Sequence, residues 1–252
     1  MDLSLSGRRV LVTGASKGIG AACAKAFLAE GCSVVLAARD AGRLSATAAD
    51  LAAAVGVPQE AITIWAGDLS QGAERARLFA EIGAVDILVN NAGAIMQGGL
   101  LDLTMAQWDE AWALKVMGYI HLTQLYLGAM KDAGAGTIVN IIGNGGRNPR
   151  YGYICGAAGN AALMAFTEAV GGKSPDFGVR VFGINPGPTR TDRIVRLVKA
   201  RGQTTEEAAA LAPFGRFGEP DEVARTTAFL ASPACGYVSG TVLDIDGGSG
   251  TR

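Results

Sequence analysis

Short β-branched runs alternate with longer Ala- and Leu-rich stretches along the whole chain. Seven runs, at 9–13, 33–38, 62–65, 86–89, 137–142, 179–184 and 242–245, read as buried strands. Helical patterns lie between them near 18–30, 40–54, 71–82, 104–131, 157–171 and 219–231. A strand that must return in the same direction needs a crossover, and a helix supplies it. The repeated strand–helix order therefore predicts an α/β fold: an open parallel seven-stranded sheet, helices on both faces, three layers. The segment 191–213 interrupts the rhythm with one or two extra helices. No linker, repeat or charge block divides residues 1–252, so one domain is expected.

Apolar residues make up 49% of the 252, enough for a sizeable core. Lys and Arg number 22 against 23 Asp and Glu. That balance weighs against a nucleic-acid or anionic-membrane surface, both of which need a basic excess. No 18 apolar residues run together, and residues 1–9 lack a signal-peptide core, so a cytoplasmic protein is expected. Cys23, Cys32, Cys155 and Cys235 form no CxxC pair and read as free thiols. A single histidine, His121, excludes a histidine metal cage, and no metal site is expected.

Thirty-six glycines are about twice the usual share of roughly 7%. Three of them punctuate Thr13-Gly14-Ala15-Ser16-Lys17-Gly18-Ile19-Gly20, between the first strand and its helix. Such a turn offers backbone N–H groups and the positive end of a helix dipole to a pyrophosphate. The same letters contain G-x-S-x-G, the nucleophile elbow of hydrolases, centred on Ser16. His121 falls inside a long helix and no oxyanion loop of the HGGG type appears, which weighs against that reading.

Three further motifs follow in order: Asn90-Asn91-Ala92-Gly93, Asn185-Pro186-Gly187 and Asp246-Gly247-Gly248. With the glycine turn they make the whole chain resemble the short-chain dehydrogenase/reductase family. The resemblance implies a Rossmann-type fold, a nicotinamide dinucleotide and a homotetramer or homodimer. It places Gly14, Ser16, Lys17, Gly18, Ile19 and Gly20 at the pyrophosphate, and Asp68 and Leu69 beside the adenine. Asn91, Ala92 and Gly93 would run along the cofactor, with Pro186, Gly187, Thr189 and Thr191 near the nicotinamide. Asn90, in the family, mainly ties the sheet together.

Charge predicts which dinucleotide. Ala38 stands at the end of the second strand, where NAD-preferring members carry Asp, and Arg39 follows. With Lys17 in the glycine turn, two cations await the 2′-phosphate, so NADP(H) is expected over NAD(H). Asp40 is expected to cap the next helix.

The catalytic positions depart from the family pattern of Tyr-x-x-x-Lys with an upstream Ser and an Asn. Gly156 stands at the tyrosine position, Asn160 at the lysine, Gly143 at the serine and Lys115 at the asparagine. Glycine has no proton to give, and loss of a general acid forfeits about 10²–10⁴-fold in rate. Tyr153, one turn upstream of 156, and Lys115 are the candidate replacements; Tyr151, Asn144 and Arg147 share the loop before them. Three readings follow: an oxidoreductase with a rebuilt proton donor, a cofactor-binding pseudoenzyme, or a non-redox lyase or isomerase on the same fold.

Overall fold

Strands covered on both faces have no solvent side, so their residues run apolar continuously. In the computed structural model, which describes residues 1–93, 95–200 and 202–251, β1 (Arg9–Thr13) is buried from Val10 onward and β4 (Ile87–Asn90) throughout. With β2 (Ser33–Ala38), β3 (Ile62–Ala66), β5 (Gly136–Ile141), β6 (Val179–Pro186) and β7 (Val242–Ile245) they form one seven-stranded sheet. Every pairing is parallel, in the order β3-β2-β1-β4-β5-β6-β7.

The period of two along each strand divides the core into two layers. Val10, Val12, Val34 and Leu36 face a cluster that holds Phe27 of α1 (Gly18–Ala29), Leu44 of α2 (Ala41–Val55) and Ala228 of α8 (Pro220–Ala231). Leu11, Val35 and Leu88 face the opposite one, with Leu78 of α3 (Gly72–Ile82) and Leu122 and Tyr126 of α4 (Met105–Ala133). Adjacent residues of one strand thus serve opposite helical layers, as a doubly wound Rossmann-type sheet requires.

Buried polar side chains tie strands to helices. Asn90 Nδ2 donates to Asn140 Oδ1 at 2.9 Å and to Thr123 Oγ1 of α4 at 3.2 Å. Asn140 Nδ2 in turn reaches Thr167 Oγ1 of α5 (Ile154–Lys173) at 2.9 Å. Asn90 is therefore structural. By length and composition the stretch Ile154–Phe177 is apolar enough to cross a membrane, but here Leu163 and Thr167 are fully buried within the body. Helix α5 begins three residues before the sequence pattern suggests, because Tyr153 takes the N-terminal boundary position and its carbonyl accepts from Ala157 N at 2.9 Å. The glycines at 152 and 156 hid that turn.

Segment 191–213 does form two helices, α6 (Asp192–Ala200) and α7 (Thr205–Ala210); its Arg201 lies outside the described residues. Cys23, Cys32 and Cys155 are buried free thiols, while Cys235 is half-buried. Burial pushes Cys23 and Cys32 up to about 12, so both stay protonated and inert.

Candidate active site

The strand order reverses between β1 and β4, and a crevice opens beyond their C-terminal ends. Two adjoining cavities occupy it, of about 540 and 420 Å³, sharing Ile19, Asn91, Gly93, Thr191 and Arg193 in their walls.

The larger cavity is built around the glycine turn. Gly14 sits at φ +66°, and a Cβ there would lie 2.9 Å from the Ala92 Cα. A Cβ on Gly20 would run into the Gly14 carbonyl oxygen. Only glycine lets the start of α1 close on β1 and β4 in this way. Thr13 and Asn91 lock the junction: Asn91 Nδ2 donates to the carbonyls of Thr13 and Gly14 at 2.9 and 3.2 Å. Thr13 Oγ1 accepts from the N–H groups of Asn91 and Ala92. Ser16, Lys17, Gly18, Ile19, Leu69, Ala92 and Gly93 complete the wall. Asp68 is not part of it; its carboxylate accepts from Ser70 N at 3.1 Å.

Charge gathers at this end. Lys17, Arg39, Arg43, Arg193 and Arg196 line the cavity against two acids, Asp40 and Asp192. Asp40 turns to cap α2 by accepting from Arg43 N at 3.0 Å. Asp192 lies 3.7 Å from Lys17 Nζ, and with side chains 73% and 45% exposed this pair is worth about 0–1 kcal/mol. Arg39 and Arg43 make no ion pair among the described residues. The turn, the dipole of α1 and these cations fit a phosphate-bearing dinucleotide. Arg43, Arg193 and Arg196 escaped the sequence reading. Arg43 was within reach, since it sits one helical turn past Arg39 at the start of α2.

The smaller cavity holds three of the four altered catalytic positions; Gly156 is not in its wall. Lys115, Gly143, Tyr153, Asn160, Pro186, Gly187, Thr189 and Thr191 all line it. Tyr153 projects down onto Gly156: a Cβ on Gly156 would fall into the tyrosine ring, with Cζ, Cε1 and Cε2 as its nearest atoms. The phenol ring therefore occupies the place into which a side chain at 156 would grow. Gly145 flanks the same ring, its Cβ position 3.2 Å from Cε1.

Lys115 reaches the end of β5. Its Nζ donates to the carbonyls of Ile141 and Ile142 at 2.7 and 3.0 Å and to Tyr119 Oη at 3.0 Å. Burial, with Arg193 adding repulsion, pushes its ammonium down to about 7. Tyr119, fully buried, is pushed well above the usual phenol range. All three ammonium protons are thus committed to the protein, none of them to Tyr153. Asn160 is 3% exposed, and its Oδ1 has no hydrogen-bond partner among the described residues. Gly143 lies beside it at φ +130°, its Cβ position 3.2 Å from Asn160 Nδ2.

Of the other candidates only Asn144 lines this cavity. Asn144 donates to Ser249 Oγ at 2.9 Å, Arg147 pairs with Asp244 at 3.4 Å, and Tyr151 is 62% exposed against Gly99. His121 Nδ1 accepts from Arg75 Nε at 3.0 Å and lines neither cavity, which leaves a Ser16 nucleophile without its base. No group of His, Cys, Asp and Glu suited to a metal occurs among the described residues.

Residues 14–250 match a family profile described as Enoyl-(Acyl carrier protein) reductase. A galactitol 2-dehydrogenase (L-tagatose-forming) of Cereibacter sphaeroides is 34% identical over 249 residues, covering 97% of this chain and 95% of the relative. A solved short chain dehydrogenase/reductase family protein superposes with a TM-score of 0.89 at 33% identity, over 100% of both chains. L-Sorbose reductase from Gluconobacter frateurii, solved with NADPH and L-sorbose, gives 0.90 at 29% identity, again over 100% of each.

Proposed function

Because the chain belongs to the short-chain dehydrogenase/reductase family, we propose that it is an NADP(H)-dependent oxidoreductase interconverting a carbonyl and an alcohol, with Tyr153 as its proton donor. One observation carries this reading: the Tyr153 ring stands where a Cβ on Gly156 would be, beside the position that the family pattern gives to tyrosine, and it lines the smaller cavity. On this reading the phenol is supplied from three residues upstream and faces the same cavity as Lys115, Gly143 and Asn160. Bound NADPH supplies a hydride to the carbonyl carbon. The protein's part is to hold the substrate oxygen within about 2.6–3.2 Å of the Tyr153 hydroxyl, which gives up its proton as the alkoxide forms.

Cofactor choice rests on Arg39, Arg43 and Lys17 around the 2′-phosphate, with Asp40 drawn away into its cap. The NADPH bound to the sorbose reductase supports the same choice. We read the protein further as cytoplasmic, as a homotetramer or homodimer, and as having no nucleic-acid or membrane partner, on family membership and near-neutral net charge.

A second reading is a cofactor-binding protein without turnover. The committed ammonium of Lys115 favours it, because no cation is seen to assist the phenol. NADPH oxidation across a panel of ketones, aldehydes and oxo acids separates the two. Consumption with any member supports the oxidoreductase; tight NADPH binding with no consumption supports the second reading.

A further inference from the structure

The smaller cavity carries one arginine, Arg150, that the dinucleotide cavity does not share. Arg150 and Arg193 line this cavity, the protons of Lys115 being committed to the protein, and among the described residues no carboxylate does. Nearby acids are already engaged. Asp246 accepts from the N–H groups of Gly248 and Gly250 at 2.8 and 2.7 Å, and Asp244 accepts from Asn185 and pairs with Arg147. Arg193 is held in place by donating to the Ile95 carbonyl at 2.9 Å. The Arg150 guanidinium makes no ion pair or hydrogen bond among the described residues, unlike Arg147 three residues before it. An arginine left unpaired at the rim of a cationic cavity attracts an anion and can bind a carboxylate through two parallel N–H donors.

We propose that the substrate is a short-chain oxo acid whose carboxylate is held by Arg150, with Arg193 adding to the positive field. This rests on the oxidoreductase reading above. Size supports a small molecule: the cavity measures about 420 Å³, and part of its wall is the Pro186–Thr191 edge assigned to the nicotinamide. In the reaction the oxo carbon gains a hydride and its oxygen gains the Tyr153 proton, turning C=O into CH–OH. The two electrons come from NADPH, which leaves as NADP⁺, and Tyr153 regains its proton from water. The carboxylate passes through unchanged.

The test separates binding from chemistry. Acetoacetate, pyruvate and 2-oxohexanoate are titrated calorimetrically into the NADP⁺ complex, each against its methyl ester, so that no turnover occurs. At least one acid is expected to bind about 10–100-fold more tightly than its ester. Arg150→Met should bring that ratio to within about threefold of one, and Arg150→Lys should restore part of it. Equal binding of acids and esters, or a ratio unmoved in Arg150→Met, overturns the proposal. Acetoacetyl-CoA is titrated in the same way, and Arg150-dependent binding confined to it also overturns the proposal, because the anion would then be a phosphate on a carrier arm. NADPH oxidation is measured on the same compounds. Acids that bind through Arg150 without being reduced would sink the oxidoreductase reading and leave the anion site standing. Esters reduced as well as acids would do the reverse.

Discussion

At the scale of single residues, the ring of Tyr153 stands against Gly156, and the proposed function makes that phenol the proton donor. Gly156 and Tyr153 form one unit, since the ring needs the space a Cβ would take. Gly156→Ala should therefore leave the fold intact, as alanine suits a helix and the displaced atoms are the far end of a side chain. It should nevertheless swing the phenol off the cleft floor and lower turnover at least tenfold, with thermal unfolding and NADPH affinity little changed. Restoring a serine at 143 is a poor route to the family's arrangement, because Gly143 holds φ +130°, which side chains avoid.

Lys115 gives a pH signature. Its ammonium is pushed down to about 7 in the folded protein, whereas an unfolded lysine titrates near 10.4. Between those values the unfolded chain binds more protons, so stability gains a contribution that rises with pH. The stability of the natural protein minus that of Lys115→Met should therefore increase from pH 7 to 9, by no more than about 1.4 kcal/mol per pH unit. Urea unfolding of both proteins at the two pH values reads this directly; a flat or falling difference would show that the ammonium is not penalised. Taking a difference cancels the buried thiols Cys23 and Cys32, which act in the opposite sense at higher pH.

At the scale of elements, the link from β2 into α2 sets cofactor choice. Arg39 follows the strand, Asp40 spends its carboxylate on the helix cap, and Arg43 brings a second guanidinium to the same wall one turn later. Arg39→Ala should weaken NADPH binding by about 10–100-fold and leave NADH nearly unchanged, as measured by nucleotide fluorescence titration. Equal affinity of the natural protein for the two dinucleotides would contradict it. Elements were the most legible level of the sequence. Strand periodicity and composition located all seven strands to within two residues at either end, because the central ones are buried on both sides and tolerate little but apolar residues. The edge strands β3 and β7 keep β-branched residues though partly exposed. The start of α5 was less legible, since a helix opening with Tyr153 and two nearby glycines has no propensity signal. Spacing named Tyr153 as a candidate one turn before 156, but that its ring stands in the Cβ position of Gly156 was not legible. It depends on the direction of one ring, which spacing along the chain does not encode.

For the whole molecule, the doubly wound sheet brings strand ends, glycine turn and helical segment 191–213 to one crevice, so cofactor and substrate share walls. Helix α6 contributes Asp192, Arg193 and Arg196 from outside the sheet, which is why sequence motifs alone did not reveal them. Family membership leads us to expect light scattering to give two or four times the 25.7 kDa chain mass. Whether the fold still performs hydride transfer turns on Tyr153. The decisive measurement is NADPH consumption by the natural protein and by Tyr153→Phe over the carbonyl panel, alongside NADPH affinity for both. The natural protein should oxidise NADPH with at least one compound. Tyr153→Phe should lose about 10²–10⁴-fold in turnover with NADPH affinity within about twofold. Equal rates in the two proteins, or no consumption by the natural protein, would contradict the assignment of Tyr153 as proton donor.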